Sequence, residues 1–106
     1  MNKKYELTDN IKVVDGHVLH QIKALRSFGG VRKGELGGWI ESFLNLSHSG
    51  NAWVGENAVV YDNAHVSGYA VVCDNATIYG YNRVCCGVFG SGVGVVSNGW
   101  GYLKNV

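Results

Sequence analysis

The sequence contains no proline among its 106 residues, whereas it contains 16 glycines. Proline fixes φ at about −65° and removes a backbone hydrogen-bond donor, so it marks many turns and loops. Glycine instead adopts the positive φ values that the tightest turns require. The absence of proline and the abundance of glycine indicate extended segments that are joined by many tight turns.

Cysteine is also scarce, with three residues at positions 73, 85 and 86. Cys85 and Cys86 are adjacent and therefore lack the C-x-x-C spacing of a zinc site. An odd number of cysteines does not suggest the paired framework of a disulfide-rich secreted domain. We therefore expect reduced thiols, a cytoplasmic location, no structural metal and no cofactor.

Long apolar runs and a strong net charge are missing as well. No apolar stretch approaches the roughly 20 residues that span a bilayer, and the polar N-terminus MNKKYELTDN does not resemble a signal peptide. The formal net charge is +1, which leaves no electrostatic footprint for a nucleic acid. We therefore expect a single domain whose partner is neither a membrane nor a nucleic acid.

The most regular part of the chain is a six-residue repeat over residues 51–80, which divides into NAWVGE, NAVVYD, NAHVSG, YAVVCD and NATIYG. Six residues turn an α-helix by about 600°, so no helical face collects the repeated positions. Short strands joined at corners by Asn, Gly or Asp do collect them on one face. The repeat predicts a parallel β-helix of hexapeptides, with an inner column of Val54, Val60, Val66, Val72, Ile78 and Val84.

The chain divides into two regions within this one compact domain. Residues 1–44 do not repeat and predict a β-hairpin module, whereas residues 45–106 form the hexapeptide region. After residue 82 the repeated Ala and corner Asn disappear, so we expect about three coils, the last one irregular. Both ends of so short a stack expose unpaired backbone. We expect residues 1–44 to cap the first end, and a partner or a second copy to cover the C-terminal edge.

Local signals inside the N-terminal region predict its elements. Residues 5–7 predict a short strand that ends in an LTDN turn. Residues 11–25 predict a β-hairpin, because Asp15-Gly16 supplies the two positive φ values of a type I′ turn. Alternation places His17 and His20 on opposite faces of that hairpin. Residues 27–38 predict a glycine-rich loop.

Three motifs resemble a family of phage- and prophage-encoded hexapeptide-repeat proteins: KYELTD (4–9), LGGWIES (36–42) and NLSHSGNAWV (45–54), followed by NA-x-V repeats. The resemblance covers residues 3–80. It implies a left-handed β-helix with three six-residue sides in each coil, so that residues 18 apart stack about 4.8 Å apart. It also implies a phage context, while it assigns no activity.

The phase of the repeat predicts three outward sides with different chemistry. The first side is an apolar column, which is typical of an interface with a partner or with a second copy. A second interpretation stays open, in which the N-terminal module folds over this column and hides it. The predicted interaction residues are Trp53, Val71 and Phe89 on the first side, Tyr61 and Tyr79 on the second, and His65 and Arg83 on the third.

An enzymatic interpretation depends on one histidine. Hexapeptide-repeat acyltransferases resemble this architecture, and they use a His as general base with an acyl-CoA or acyl-ACP donor. His65 would be that base, because it is the histidine within the regular coils. Arg83, one coil above, is a poor neighbour, since a nearby cation disfavours protonation of the ring. His48 replaces an inward Val and is better explained as a hydrogen-bonded structural residue.

These observations favour a non-enzymatic interaction protein that is expressed from a phage or prophage in the cytoplasm of a bacterial host. Its expected partner is a host protein, and inhibition of a host defence complex would fit that context. Self-association through the apolar side or the C-terminal edge is also expected. The alternatives are an acyltransferase-like enzyme with His65 as its base and a structural or assembly protein of the virion.

Overall fold

A computed structural model describes residues 3–85 in full and residues 88 and 89 by their backbone. Within this part the protein is all-β, and its helical content is one 3₁₀ turn, η1 (Phe43–Asn45). No helix in the described ranges is long and apolar enough to cross a membrane. The strands are β1 (Tyr5–Val14), β2 (His17–Ala24), β3 (Leu36–Ile40), β4 (Trp53–Val54), β5 (Val59–Val60), β6 (His65–Val66), β7 (Val71–Val72), β8 (Thr77–Ile78), β9 (Arg83–Val84) and β10 (Val88–Phe89).

The predicted hairpin is confirmed. β1 and β2 pair antiparallel, and the residues between them, Asp15 and Gly16, have φ values of 49° and 80°. Both values lie in the left-handed region that a two-residue hairpin turn requires. His17 and His20 alternate along β2, so they lie on opposite faces of the sheet as predicted.

The break predicted at LTDN is wrong, because β1 continues through it. Leu7 pairs with Ile22, whereas Ile11 pairs with His20, so residues 8–10 form an irregularity within the strand. The Thr8 hydroxyl donates to the Gln21 carbonyl at 2.7 Å. Polar side chains that would end a strand in isolation here hydrogen-bond to the neighbouring strand and keep β1 continuous.

The short strands form parallel ladders whose register follows the repeat. The pairs Trp53–Val71, Val59–Thr77 and His65–Arg83 are ladder neighbours, and in each pair the partners are 18 residues apart. β4, β5 and β6 belong to three different sheets, and β7 returns to the sheet of β4. We call one such passage through the three ladders a circuit. The predicted neighbour relations of the three sides are confirmed for these pairs.

The expected pairing of Val71 with Phe89 is wrong. Val88 pairs with Val71, and Phe89 pairs with Val72, so the partners here are 17 residues apart. The repeat has already lost its Ala and corner Asn positions at this point, so the chain between Val72 and Phe89 is one residue short of the regular spacing. The irregular coil was expected after residue 82, and its residues 86, 87 and 90–106 lie outside the described residues.

The inner column predicted from the repeat is confirmed, because all six of its Val and Ile side chains are buried together with the repeated alanines. The column also extends further toward the N-terminus than the repeat does. Ile40 pairs with Val60, and Leu46 forms a parallel bridge with Val66. Both Ile40 and Leu46 are fully buried. Parallel pairing therefore begins in β3, which joins the hairpin to β5 and β8 in one five-stranded sheet.

The glycine-rich loop predicted for residues 27–38 ends earlier than expected. Gly37 and Gly38 are buried inside β3. A Cβ on Gly37 would lie 2.6 Å from the Val54 carbonyl oxygen, and one on Gly38 would lie 2.6 Å from the Ala58 carbonyl oxygen. These glycines allow the β3 backbone to approach the first circuit more closely than any side chain would permit.

Two residues of the N-terminal segment cover the first end of the stack. The Trp53 N–H donates to Ala70 in the next circuit, so the carbonyl of the same planar peptide, that of Ala52, points to the opposite end. Lys4 Nζ donates to that carbonyl at 2.6 Å. The Tyr5 hydroxyl donates at 2.6 Å to the Leu46 carbonyl. Side chains thereby satisfy buried acceptors that no strand reaches.

Candidate functional site

The first predicted side is not a free surface. Trp53 is 5% exposed, and its ring packs edge-on against Phe28 with the ring centroids 5.4 Å apart. Val71 is half-buried. The structure thus shows the alternative in which the N-terminal module folds over Trp53, and the expectation of an exposed apolar column is wrong for this residue. The side chain of Phe89 lies outside the described residues.

The second predicted side is covered as well. Tyr61 is buried and Tyr79 is half-buried, and their rings stack with centroids 5.5 Å apart. Leu19 of the hairpin packs with Val59 and Tyr61 in a second apolar cluster. Tyr61 is therefore not available to a partner, because the hairpin packs against the outer face of strands β5 and β8.

The third predicted side keeps its exposed cation. Arg83 is exposed, while its ladder neighbour His65 is half-buried. His65 Nδ1 donates its hydrogen to the Leu44 carbonyl. In a neutral ring this bond fixes the tautomer and leaves the lone pair on Nε2. A backbone carbonyl thus orients His65, although the sequence offers no acidic residue for that purpose.

His48 is the hydrogen-bonded structural residue that its position in the repeat predicts. Its Nδ1 accepts the Lys4 backbone N–H at 3.2 Å, and its ring stacks on Tyr5 with centroids 4.2 Å apart. Burial and then the positive charge of Lys4 lower the pKa of His48, with smaller effects from Lys3 and Arg26. The neutral ring is the form that accepts the backbone hydrogen.

Sequence reasoning did not find a compact group of titratable side chains in the part of the chain that the structure describes. This group, which we call the His17 cluster, lies where the hairpin tip meets a corner of the first circuits. It brings together the hairpin turn, the start of β2, the end of β3 and the corner after β5. Its members are Asp15, His17, Glu41, Tyr61 and Asp62.

His17 is at the centre of this cluster and contacts a different carboxylate with each ring nitrogen. Nδ1 lies 2.9 Å from Glu41 Oε2, and Nε2 lies 3.0 Å from Asp62 Oδ1. Donation from both nitrogens requires the imidazolium form. The hydrogen bond to Glu41 raises the pKa of His17, the charges of Glu41, Asp62 and Asp15 raise it further, and desolvation opposes them. The geometry and the local charge therefore both favour the protonated ring.

Backbone groups hold the two carboxylates in place. The Asp62 N–H donates to Glu41 Oε1 at 2.9 Å, and the Gly80 N–H donates to Asp62 Oδ2 at 3.2 Å. Asp62 itself has a φ of 59°, which is the left-handed conformation of a tight corner. Each carboxylate thus uses one oxygen for His17 and the other for the backbone of the circuits.

Tyr61 closes the cluster on its other side. Its hydroxyl donates to Asp15 Oδ2 at 2.8 Å, and its ring centroid lies 4.8 Å from that of His17. Burial raises the pKa of Tyr61, and the hydrogen bond to Asp15 raises it further. Tyr61 therefore remains a hydrogen-bond donor over the ordinary pH range and ties the turn residue Asp15 to β5.

The metal-binding capacity of these groups follows from the same geometry. The ligand atoms of His17, Glu41 and Asp62 lie within 4.8 Å of one another. However, Glu41 lies at hydrogen-bond distance from Nδ1 of the ring and Asp62 at hydrogen-bond distance from Nε2. A proton on each nitrogen satisfies the arrangement as it stands. The His17 cluster is therefore an ion-paired hydrogen-bond network.

A second group of potential ligands, Glu56, Cys73 and Asp74, lies at a different corner. Asp74 N–H donates to Glu56 Oε1 at 3.1 Å. Burial raises the pKa of the Cys73 thiol, and the charges of Asp74 and Glu56 raise it further. The neutral thiol is therefore favoured over the thiolate, which is the nucleophilic form.

Comparison with known proteins adds no assignment, since neither a scan of protein-family models nor a search of curated proteins gives a match to the chain.

Proposed function

We propose that the protein is a non-enzymatic protein-binding module, built as a short left-handed parallel β-helix and presenting the β1–β2 hairpin to its partner. The observation that carries this proposal is an exposed apolar face on the hairpin. Ile11, Val13 and Val18 are 56%, 65% and 46% exposed. Val13 pairs with Val18 across the two strands, and Ile11, two residues before Val13, lies on the same face. Contiguous exposed apolar side chains of this kind mark interaction surfaces.

The position of β1 adds backbone groups to this surface. β1 is the terminal strand of the five-stranded sheet, and in the described part of the chain it pairs with β2 alone. The other edge of β1 presents N–H and C=O groups to which an extended segment of a partner can add as a new strand. The partner we propose is therefore a protein that supplies a strand with apolar side chains.

The β-helical interpretation is supported by the 18-residue register and by the corners. Glu56, Asp62 and Asp74 all have φ between 55° and 59°, and Gly68 has a φ of 62°. Left-handed residues at intervals of a hexapeptide allow one strand to turn into the next. The left-handed wind of the circuits follows from the resemblance to hexapeptide-repeat proteins and belongs to the proposal.

The biological context extends the same proposal. A phage or prophage origin, the cytoplasm of a bacterial host and a host protein as partner rest on the resemblance of residues 3–80. Inhibition of a host defence complex would be the action of such a module. The homo-oligomer expected from the sequence would use the C-terminal edge or the same hairpin edge, because Trp53 on the apolar side is buried.

The test compares two ways of adding charge to an exposed apolar residue. Val13→Glu with Val18→Glu alters the hairpin face, whereas Tyr69→Glu alters a side chain that is 74% exposed in the repeat region. We expect a stoichiometric bacterial protein, identified by mass spectrometry, to be retained by the wild type and by Tyr69→Glu and lost with the double variant. Light scattering of each variant separates a partner from self-association. Equal retention by all three proteins contradicts the proposal.

The acyltransferase alternative gains one specific observation. The Leu44 carbonyl orients His65 so that Nε2 carries the lone pair, which is the arrangement a general base needs. Calorimetry with acyl-CoA tests it, with His65→Ala as the variant and His20→Ala as the control on the hairpin. Binding that is lost in His65→Ala and kept in His20→Ala would favour the enzymatic alternative.

A further inference from the structure

We propose that His17 is a proton-controlled clasp, which holds the hairpin tip (residues 14–18) against the repeat region when its ring is charged and releases the tip when the ring is neutral. The inference does not depend on the proposed binding function. It rests on the position of one ring between two carboxylates that belong to other segments of the chain. Nδ1 of His17 is 2.9 Å from Glu41, and Nε2 is 3.0 Å from Asp62.

The first step concerns which partner can move. Glu41 and Asp62 are fixed by backbone N–H groups from Asp62 and Gly80. His17 by contrast sits at the start of β2, directly after the exposed turn residues Asp15 and Gly16. When the contact breaks, the hairpin tip is therefore the part that moves away.

The second step is the change that accompanies loss of the proton. A neutral imidazole has one N–H, so it donates to one carboxylate and turns a lone pair toward the other. The ring then no longer offsets the negative charges of Glu41, Asp62 and Asp15. Like charges that were held together by one cation repel one another once it is neutral. Above the pKa of His17, the repulsion between these carboxylates therefore opposes the closed position of the tip.

Among the described residues, the charged groups that shift the pKa of His17 all raise it, and the other titratable groups near the ring are engaged in contacts of their own. Asp15 faces it from the turn, Glu41 from the end of β3, and Asp62 from the corner after β5. The Tyr61 hydroxyl is bonded to Asp15, and the Tyr79 ring stacks behind Tyr61. On β1, the Lys12 ammonium lies 4.7 Å from the centroid of the Trp39 ring and is occupied there.

The third step is that the tip, including its own cross-strand pairs, can open while the rest of the hairpin stays folded. Leu19 and Ile22 of β2 are fully buried, and they anchor the strand beyond the tip. Asp15, Gly16 and Val18 are exposed, while Val14 is half-buried. Val14 packs against the second apolar cluster, but the rest of the tip contributes little apolar burial, so the polar contacts make the larger difference to its position. The hydrogen bond between Tyr61 and Asp15 limits the movement and keeps it local.

The sign of the pH dependence follows from the direction of the pKa shift. The folded protein raises the pKa of His17, so the contact stabilises the closed tip fully below the ordinary histidine value of about 6.5. That stabilisation is lost as the pH rises through the raised value. The clasp therefore opens on the alkaline side, opposite to a site that opens on acidification.

NMR on the full chain tests the clasp. The ring resonance of His17 should titrate above the ordinary histidine value in the wild type and move back toward it in Glu41→Gln. Amide protection factors of residues 14–18, corrected for intrinsic exchange, should fall as the pH crosses that midpoint. The fall should be absent in His17→Gln and retained in His20→Gln, which alters a histidine on the opposite face of the same strand.

Three results would overturn the inference. The first is equal amide protection of residues 14–18 below and above the pH midpoint of the His17 titration. The second is a fall in that protection with pH that persists in His17→Gln. The third is a shift of the His17 resonance on addition of Zn²⁺ alone at micromolar concentration, which would make the cluster a metal site. If His17→Gln does not fold, Glu41→Gln and Asp62→Asn provide the same comparison. A pH response of the tip that is as large in both variants as in the wild type contradicts the clasp.

Discussion

The ring of Trp53 lies directly against the backbone of Gly37, so closely that a Cβ on Gly37 would stand 2.6 Å from Cζ2 of the indole. The same Cβ would stand 2.7 Å from Cγ1 of Ile22. Strand β3 is thus packed between the hairpin and the first circuit at a distance that only glycine permits. This contact is the reason why Trp53 is buried beneath the N-terminal module.

Gly37→Ala should therefore destabilise the protein strongly. The added methyl group meets a backbone oxygen as well as two core side chains, and such overpacking costs about 1–3 kcal/mol or more. Gly30→Ala is the matched control, because a Cβ there meets nothing within 4 Å. Chemical denaturation of both variants measures the difference in the free energy of unfolding. Equal stability of the two would contradict the close packing of β3 on Trp53.

Tyr5→Phe should destabilise the N-terminal end of the stack. The Tyr5 hydroxyl is buried and donates to the Leu46 carbonyl, so its removal leaves a buried acceptor without that donor. A loss of this kind costs about 1–3 kcal/mol. Tyr81→Phe removes a hydroxyl from an exposed side chain and should change the stability by less than about 0.5 kcal/mol. Thermal unfolding of both variants gives the comparison.

Asn45→Asp should be more damaging than its small change in shape suggests. The buried Asn45 accepts the N–H groups of Glu41 and Ser42 through Oδ1, and its Nδ2 donates to the Asp62 and Ala64 carbonyls. Aspartate keeps the acceptor but turns a charged oxygen toward two carbonyls, for which we expect a loss of about 3–5 kcal/mol. Asn63→Asp, at an exposed corner, is the control. Urea denaturation at neutral pH measures the free energy of unfolding of both variants. Equal losses in the two would contradict the buried hydrogen bonds of Asn45.

His48 should make the protein less stable in mild acid. Its pKa is lowered in the folded state, so its contribution is present above the ordinary value of about 6.5 and is lost as the pH falls through the lowered one. His17 has the opposite sign, and the measurement is therefore made in a His17→Gln background. Stability in that background should decrease between pH 7 and pH 5.5, and the decrease should shrink when His48→Gln is added. An unchanged decrease would assign it to other groups.

The repeat was sufficient to predict the interior of the repeat region from Val54 to Val84. Val54, Val60 and their counterparts are buried because a six-residue period fixes both their face and their neighbours, which is local information. The Asp15-Gly16 turn was predictable for the same reason, since a two-residue turn depends on its own φ values. The register was predictable to Val84 and not beyond, because the repeat that specifies it ends there.

The surface could not be predicted in this way. Whether Trp53 and Tyr61 face solvent depends on where residues 28–37 and the hairpin fold, and no periodicity in residues 1–44 specifies that. The His17 cluster was missed for the same reason, because His17 and Asp62 are 45 residues apart and meet through the curl of the hairpin. Long-range contacts between a non-repeating segment and a repeat leave no local signal in either.

The 18-residue spacing of the ladders has a consequence for how such a chain changes length. Removing or duplicating one whole circuit leaves every remaining side chain in its original phase, so the interior and the three sides persist. Removing one hexapeptide instead moves each later strand to a different side of the stack. Folded relatives of this protein should consequently differ in length along the stack by multiples of 18 residues, which is one whole circuit.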